Sequence, residues 1–317
     1  MALRRGLRDW LLAKDADPSV RLRVLQDLLD RPDDDPAVIR TRREIGREGW
    51  AARILKEQRP DGQWLSQGTS ARELYTPKYL SANWKLLVLS DLGLTRKHPR
   101  VAKGMDLLIR RYREAGEIGR PRSELCILAN TLRMMLRLGY AKHPQTQVAI
   151  DWLVQHQKKD GGWHCFRSST GTLDGWEGLA AFAALPPDRR SGSVQRSIER
   201  GAEFYLRRGL LREGRTAYAP WRRLHYPNHY FYDVLVGLNF LTALGYGDDP
   251  RIRPALNLLE RKRNRDGSWN LDAHHPDSED PGYRPRGPFY PFGLEIPGQP
   301  SRWITTTALT VLKRVGR

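Results

Sequence analysis

The chain has 317 residues, 39% of them hydrophobic, and a formal net charge of +18, so it can bury a sizeable core and it favours anionic surroundings. No stretch approaches the roughly 18 uninterrupted apolar residues of a membrane-spanning helix, and the opening Met1-Ala2-Leu3-Arg4-Arg5 breaks its apolar run with charge, unlike a secretory leader. Two cysteines, Cys126 and Cys165, are too few for a disulfide framework; a cytoplasmic location is expected, with both read as small buried apolar residues.

In chain order, residues 2–14 predict a first amphipathic helix. Residues 18–30, 77–92, 123–138, 175–185, 228–244 and 300–315 are apolar on more than one face, as helices covered on both sides should be. Between them, 36–57, 99–113, 144–157, 193–208 and 250–264 carry a single apolar stripe among many charges. The junctions share punctuation: Leu92-Gly93-Leu94 precedes His98-Pro99, Leu138-Gly139-Tyr140 precedes His143-Pro144, and Leu244-Gly245-Tyr246 precedes Asp249-Pro250. Glycine ends one helix and proline starts the next. Two long connections, 207–228 and 270–302, carry Tyr218, Trp221, Tyr226, Tyr283, Phe289, Tyr290 and Phe292; loops of that length and aromatic content predict packed lids.

Superimposed on this alternation is an internal repeat. Gln58-Arg59-Pro60-Asp61-Gly62-Gln63-Trp64 recurs as Gln157-Lys158-Lys159-Asp160-Gly161-Gly162-Trp163 and as Arg263-Asn264-Arg265-Asp266-Gly267-Ser268-Trp269. The copies lie roughly one hundred residues apart, about two helical hairpins. Asp-Gly supplies a chain reversal, with glycine at positive φ, and the Gln and Trp side chains pin one helix end to the next. The motif reads as a structural staple without catalytic duty. Six inner and five outer helices, with 2–14 supplying the sixth outer one, predict an all-α fold: a single-domain (α/α)6 toroid whose inner-helix N-termini meet at one mouth. An open helical solenoid is the alternative.

With these motifs and this alternation, the chain resembles the prenyltransferase and squalene-oxidase repeat superfamily, which includes squalene-hopene cyclases and the β subunits of protein prenyltransferases. The resemblance covers nearly the whole chain. It implies an isoprenoid-sized cavity lined by aromatic residues. The cyclases of that superfamily protonate an alkene with the middle Asp of a D-x-D-D motif; this chain holds Tyr230-Phe231-Tyr232-Asp233 at the matching place and keeps only the last Asp. Asp277-Ser278-Glu279-Asp280 reads as a charged turn before Pro281. The prenyltransferases hold zinc with a D-x-C pair and a later His; here Asp174-Gly175-Trp176 puts Trp where the thiolate ligand stands, with His229 near the His position.

Judged by their own chemistry, His225, His229 and Asp233 stand four residues apart and share a face if helix extends back to Tyr226. They would then form a chelate or a tuned acid-base pair. Asp174 and Glu177 flank Trp176 at the start of an inner helix, where helix capping competes with catalysis as their role. On the toroid, Glu124, Asp174, Glu177 and Asp233 would share the mouth, and a carboxylic acid among aromatic rings has its proton retained by desolvation. Tyr79, Trp84, Trp176, Tyr230, Tyr232 and Trp303 would line the cavity, either as plain packing or as π faces for a cation.

The expected catalytic residues are therefore Asp233, His229, Asp174 and Glu177. The expected ligand-contacting residues are Tyr79, Trp84, Glu124, Trp176, His225, Tyr230, Tyr232 and Trp303. The expected function is acid-initiated cyclisation or isomerisation of an isoprenoid or related lipid, with no cofactor. A non-catalytic toroid that binds a hydrophobic ligand or a protein is the alternative, and zinc-dependent prenyl transfer is the third reading. An anionic membrane surface would suit the positive charge. Nucleic acid is not an expected partner, because no nucleic-acid-binding motif accompanies that charge.

Overall fold

In the computed structural model, the residues described are 3–120, 123–165, 168–213, 218–274 and 294–317. Their helices in chain order are α1 (Arg5–Leu11), α2 (Pro18–Arg23, continued by a π-helical turn Val24–Leu28), α3 (Pro36–Ile45), α4 (Gly49–Lys56), α5 (Ala71–Tyr75), α6 (Ala82–Asp91), α7 (Pro99–Ala115), α8 (Leu125–Arg137), α9 (Pro144–Gln155), α10 (Glu177–Ala183), α11 (Gly192–Arg207), α12 (Val234–Ala243), α13 (Arg253–Arg261) and α14 (Arg302–Arg314). Two short strands, β1 (Trp269–Asn270) and β2 (Pro300–Ser301), pair antiparallel. The fold is all-α. The chain forms two compact units, one of Met1–Arg53 with Arg208–Arg317 and one of Ile54–Arg207.

In the unit Ile54–Arg207, α6, α8 and α10 form a row, with α8 packed against both neighbours. Buried residues run along the whole of α6 from Ala82 to Ser90, which fits its apolar character on every face. The amphipathic α7, α9 and α11 sheathe this row, packing on α6, α8 and α10 respectively. In the other unit α14 packs against both α2 and α12, while α3 covers α2 and α13 covers α12. The Arg302 guanidinium, at the start of α14, donates to the Trp10 carbonyl of α1 at 3.1 Å and lies 5.2 Å from the Trp10 ring centroid.

The repeated motif has the same geometry in all three copies. The glycines Gly62, Gly161 and Gly267 adopt φ of +93, +94 and +95°, a conformation that costs side-chain-bearing residues. Asp61, Asp160 and Asp266 each accept the N–H two residues on, at 3.0, 3.2 and 2.9 Å. The indole N–H groups of Trp64, Trp163 and Trp269 each reach back ten residues, to the carbonyls of Ile54, Leu153 and Leu259, at 2.6, 2.9 and 2.7 Å. Gln157 Nε2 donates to Gly161 O and to Ser197 O on α11 at 2.7 and 2.8 Å, tying the turn to the next amphipathic helix. Gln58 does the same to Gly62 O and Arg100 O. In the third copy Arg263 replaces Gln and its Nε reaches Gly267 O at 3.4 Å.

A prediction follows for Gly161. A Cβ there would fall on the Arg200 carbonyl as well as suffer the positive φ, whereas Gly245 has the same φ of +93° with open space around it. Gly245→Ala should therefore report backbone strain alone, about 1 kcal/mol, and Gly161→Ala should cost more, about 2–3 kcal/mol. Denaturant midpoints of the two variants check this ordering.

Several expected helices begin late or break. The segment 77–92 becomes helical only at Ala82, because Pro77 and a left-handed Tyr79 (φ 70°) precede it. Just before it lies α5, closed by a capping box in which Ser70 and Glu73 exchange hydrogen bonds. The segment 36–57 splits at Gly46 to Glu48, and the Asp17 carboxylate takes the Trp50 N–H at 2.6 Å across the break. The segment 228–244 is helical only from Val234. The charged turn at 277–280 and the aromatics Tyr283, Phe289, Tyr290 and Phe292 lie outside the described residues.

Candidate functional site

The expected site residues fall in two clusters, one in each unit. In the unit Met1–Arg53 with Arg208–Arg317, Asp233 is fully buried and N-caps α12. Its Oδ1 accepts the Val236 N–H at 2.8 Å. Its Oδ2 lies 2.7 Å from His225 Nδ1 and accepts the His225 N–H at 3.1 Å and Asn228 Nδ2 at 3.4 Å. Both oxygens thus face N–H donors.

Residues 225–233 are not helical, so His225 and His229 do not share a helix face, and the i, i+4 chelate expected of them does not form. His229 instead sits in left-handed backbone, φ 49°. The histidine that Asp233 holds is His225. Asp233→Ala should cost about 1–3 kcal/mol through stranded buried donors, read as a lowered thermal midpoint, and the circular dichroism of the folded variant should stay helical.

The aromatics around this cluster are engaged in packing. Tyr232 is buried, donates its hydroxyl to Leu210 O at 2.9 Å and meets Trp221 edge-on. Tyr230 is half-buried against Phe231. Trp303 stacks on Tyr226 with ring centroids 4.1 Å apart, and the Arg23 guanidinium lies 4.7 Å from its centroid. A cavity of about 420 Å³ in this unit is lined by charged residues, among them Lys14, Asp17, Arg21, Glu295 and Arg302, together with Trp50. Two of its half-buried carboxylates cap helices: Glu295 receives the Arg302 and Trp303 N–H groups, and Asp17 receives that of Ser19. Burial pushes both of these acids above their ordinary range.

The second cluster belongs to the unit Ile54–Arg207 and is built by the repeat. Thr172 pairs with Trp163, its N–H reaching Trp163 O at 2.9 Å. Gly175 lets the backbone pass against that carbonyl, and Gly178 lets α10 lie on the indole, where a Cβ would come within 2.8 Å of the ring. Trp176 caps α10, and Glu177 is its first residue. The capping expected of Asp174 falls instead to Thr172, whose hydroxyl accepts the Asp174 N–H at 3.3 Å; Asp174 itself is exposed. Glu124, also exposed, precedes α8 and makes no capping bond through its side chain.

Glu177 is 1% exposed, and neither carboxyl oxygen has a hydrogen-bond partner among the described residues. Its pKa is raised well above the ordinary 4.5, first by burial and then by the Cys126 sulfur, while its own N–H and Arg133 pull the other way. The Arg133 guanidinium lies 4.8 Å from the Trp176 ring centroid, so one face of that indole already carries a cation. Around the start of α8, Cys126 approaches Glu124 at 4.0 Å, and Tyr75 and Lys78 also act on its sulfur. Trp84 is buried between Tyr75 and Tyr79, with ring centroids at 4.9 and 5.4 Å, and its indole N–H donates to Tyr75 O at 2.7 Å.

This cluster contains Arg133, Tyr75, Lys78 and both cysteines, none of which was expected to be functional. The two cysteines are partly exposed rather than buried, which corrects their reading as small core residues. Among the described residues, no group of three or more His, Cys, Asp or Glu side chains is placed to hold a metal ion. Among the described residues, no helix is long and apolar enough to cross a membrane.

No protein-family model matches the chain, and neither does any curated protein. Among solved structures it is similar to a protein from Actinoplanes, with 17% identity over 99% of this chain and 98% of that one and a TM-score of 0.46. It is also similar to the type II terpene cyclase MstE from Scytonema in its apo form, with 16% identity over 84% of this chain and 95% of that one and a TM-score of 0.29. A variant of MstE in complex with its substrate, geranylgeranyl dihydroxybenzoate, shows 15% identity over 84% of this chain and 94% of that one, again with a TM-score of 0.29.

Proposed function

We propose that the chain is a terpene cyclase-like enzyme in which Glu177 donates a proton to a carbon–carbon double bond of an isoprenoid or related lipid. The observation that carries this reading is the state of Glu177: a fully buried carboxyl whose two oxygens have no hydrogen-bond partner among the described residues and which burial holds in its protonated form to well above the usual carboxylate range. In the reaction the O–H bond breaks, the alkene π pair forms the new C–H bond, and a carbocation is left beside a new carboxylate. Arg133 is close enough to favour that carboxylate. A neighbouring double bond can attack that cation, forming a C–C bond and leaving a new cation in the ring; loss of a proton from an adjacent carbon to the Glu177 carboxylate then gives an alkene and restores the acid. Asp233 and His225 serve as an anchor for the loop before α12 in this reading, and His229 follows from that loop's course.

The repeated staple, and the buried row of helices sheathed by amphipathic ones in each unit, support completion of the pattern as an (α/α)6 toroid. The test is incubation with a panel of linear isoprenoids and their diphosphates, with products resolved by mass spectrometry. Cyclised or double-bond-shifted products are expected. Tight binding of a hydrophobic ligand without turnover across the panel would move the reading to a non-catalytic carrier.

A further inference from the structure

The cavity of about 420 Å³ in the unit Met1–Arg53 with Arg208–Arg317 takes no part in the reading built on Glu177. Its walls come from residues between 14 and 21 around the start of α2, from residues between 48 and 53 around the start of α4, and from 294, 295 and 302 around the start of α14. Trp50, 8% exposed, joins Pro18, Val20 and Leu294 as its apolar lining. Trp50 and Arg53 stand three residues apart on α4 and so share one of its faces.

The acids of this cavity are already committed. Asp15 pairs with Arg302 at 2.9 Å and Glu48 with Arg21 at 3.3 Å. Asp17 Oδ1 accepts the Ser19 N–H at 2.8 Å and its Oδ2 the Trp50 N–H at 2.6 Å. Glu295 Oε1 accepts the Arg302 and Trp303 N–H groups, and its Oε2 accepts the Ser301 hydroxyl. Two cations are left uncommitted. Lys14 and Arg53 line the same cavity, are exposed, and make neither an ion pair nor a side-chain hydrogen bond among the described residues; Arg53 acts on Asp17 through its charge alone.

Two free cations beside an apolar lining suit a ligand that is anionic at one end and apolar at the other. A phosphoryl group matches the cations better than a carboxylate does. It carries close to two negative charges at neutral pH and has three acceptor oxygens, enough for a guanidinium fork and an ammonium together. The volume is that of a small-molecule site, and inorganic phosphate would leave the apolar lining unused. We propose that this cavity binds a small organic phosphate, with Lys14 and Arg53 holding the phosphoryl oxygens and Trp50 meeting the uncharged part. The site is one of binding only, and it is independent of the acid role of Glu177, which belongs to the other unit.

The experiment is calorimetric titration of the full chain with phenyl phosphate, inorganic phosphate and phenol at one fixed ionic strength. Phenyl phosphate should bind more tightly than inorganic phosphate, and phenol should not bind. Lys14→Gln and Arg53→Gln should each weaken phenyl phosphate about tenfold, the loss of one charge-assisted hydrogen bond; both residues are exposed, so the fold persists. Trp50→Leu should bring phenyl phosphate down to the level of inorganic phosphate. Because the chain carries a net charge of +18, Arg110→Gln and Arg113→Gln on the exposed face of α7 are the controls and should leave the affinity unchanged. Equal affinity of the parent protein for phenyl phosphate and inorganic phosphate, binding that survives Lys14→Gln with Arg53→Gln, or an equal loss in the α7 controls would overturn the proposal. No binding of phenyl phosphate at millimolar concentration would do the same, whichever way the isoprenoid panel turns out.

Discussion

Glu177→Gln should lower turnover by about 10²–10⁴-fold, the usual contribution of a positioned general acid, and at the same time raise stability at neutral pH. The amide keeps the volume of the buried carboxyl and removes the proton to be donated. The stability change follows from linkage. A carboxyl whose folded pKa is raised contributes stability that is fully present below the unfolded value of 4.5 and is lost as pH climbs toward the raised folded value. At neutral pH the unfolded chain gains by ionising Glu177 and the folded chain does not, so the parent protein carries a penalty that the variant lacks. The advantage of the variant should therefore shrink as pH falls through the carboxylate range and vanish below it. Thermal midpoints at several pH values, measured beside product formation, test both halves. Equal turnover by parent and variant would remove Glu177 from the mechanism. An unchanged stability difference across pH would show that the carboxyl is not held protonated.

The staple was legible in the sequence because its chemistry is local. Asp160 satisfies an N–H two residues away, Gly161 takes the positive φ that closes the turn, and Trp163 reaches a carbonyl ten residues back. The alternation of buried and amphipathic helices was legible for the same reason, since each helix shows its own periodicity. The starts of the buried helices were less so. The loop before α12 is held by a side chain acting over eight residues, Asp233 on the His225 N–H, and no helical period reports such a bond.

Glu177 could be picked out as a candidate by its place beside Trp176, but its lack of donors depends on α8 packing against α10.

Trp163→Ala should be the most destabilising single change, about 3–5 kcal/mol for a large aromatic lost from the core. The indole is 1% exposed, and the packing around it has no slack to fill the gap. Gly178 of α10 and Gly201 of α11 are glycines against the ring itself; a Cβ at either would lie 2.8 or 3.0 Å from it. Phe182 adds an edge-on contact at 6.0 Å. Removing the ring thus leaves a cavity walled in part by two glycines, which have no side chain to fill it, and it strands the Leu153 carbonyl.

Trp163→Phe helps separate the terms, since it keeps most of the volume but loses the N–H; it should cost about 1 kcal/mol for the missing hydrogen bond plus a term for the smaller cavity. The consequence reaches the site, because Trp163 O holds Thr172 and the ring supports Gly178, the residue after Glu177. A staple that the sequence presents as purely structural therefore also supports the helix start that carries Glu177. In Trp163→Ala, turnover per folded molecule should fall while the Trp269 counterpart in the other unit, Trp269→Ala, loses stability without that fall. Denaturant titration with a single-turnover assay on the folded fraction distinguishes the two. Equal per-molecule turnover in both variants would confine Trp163 to stability alone.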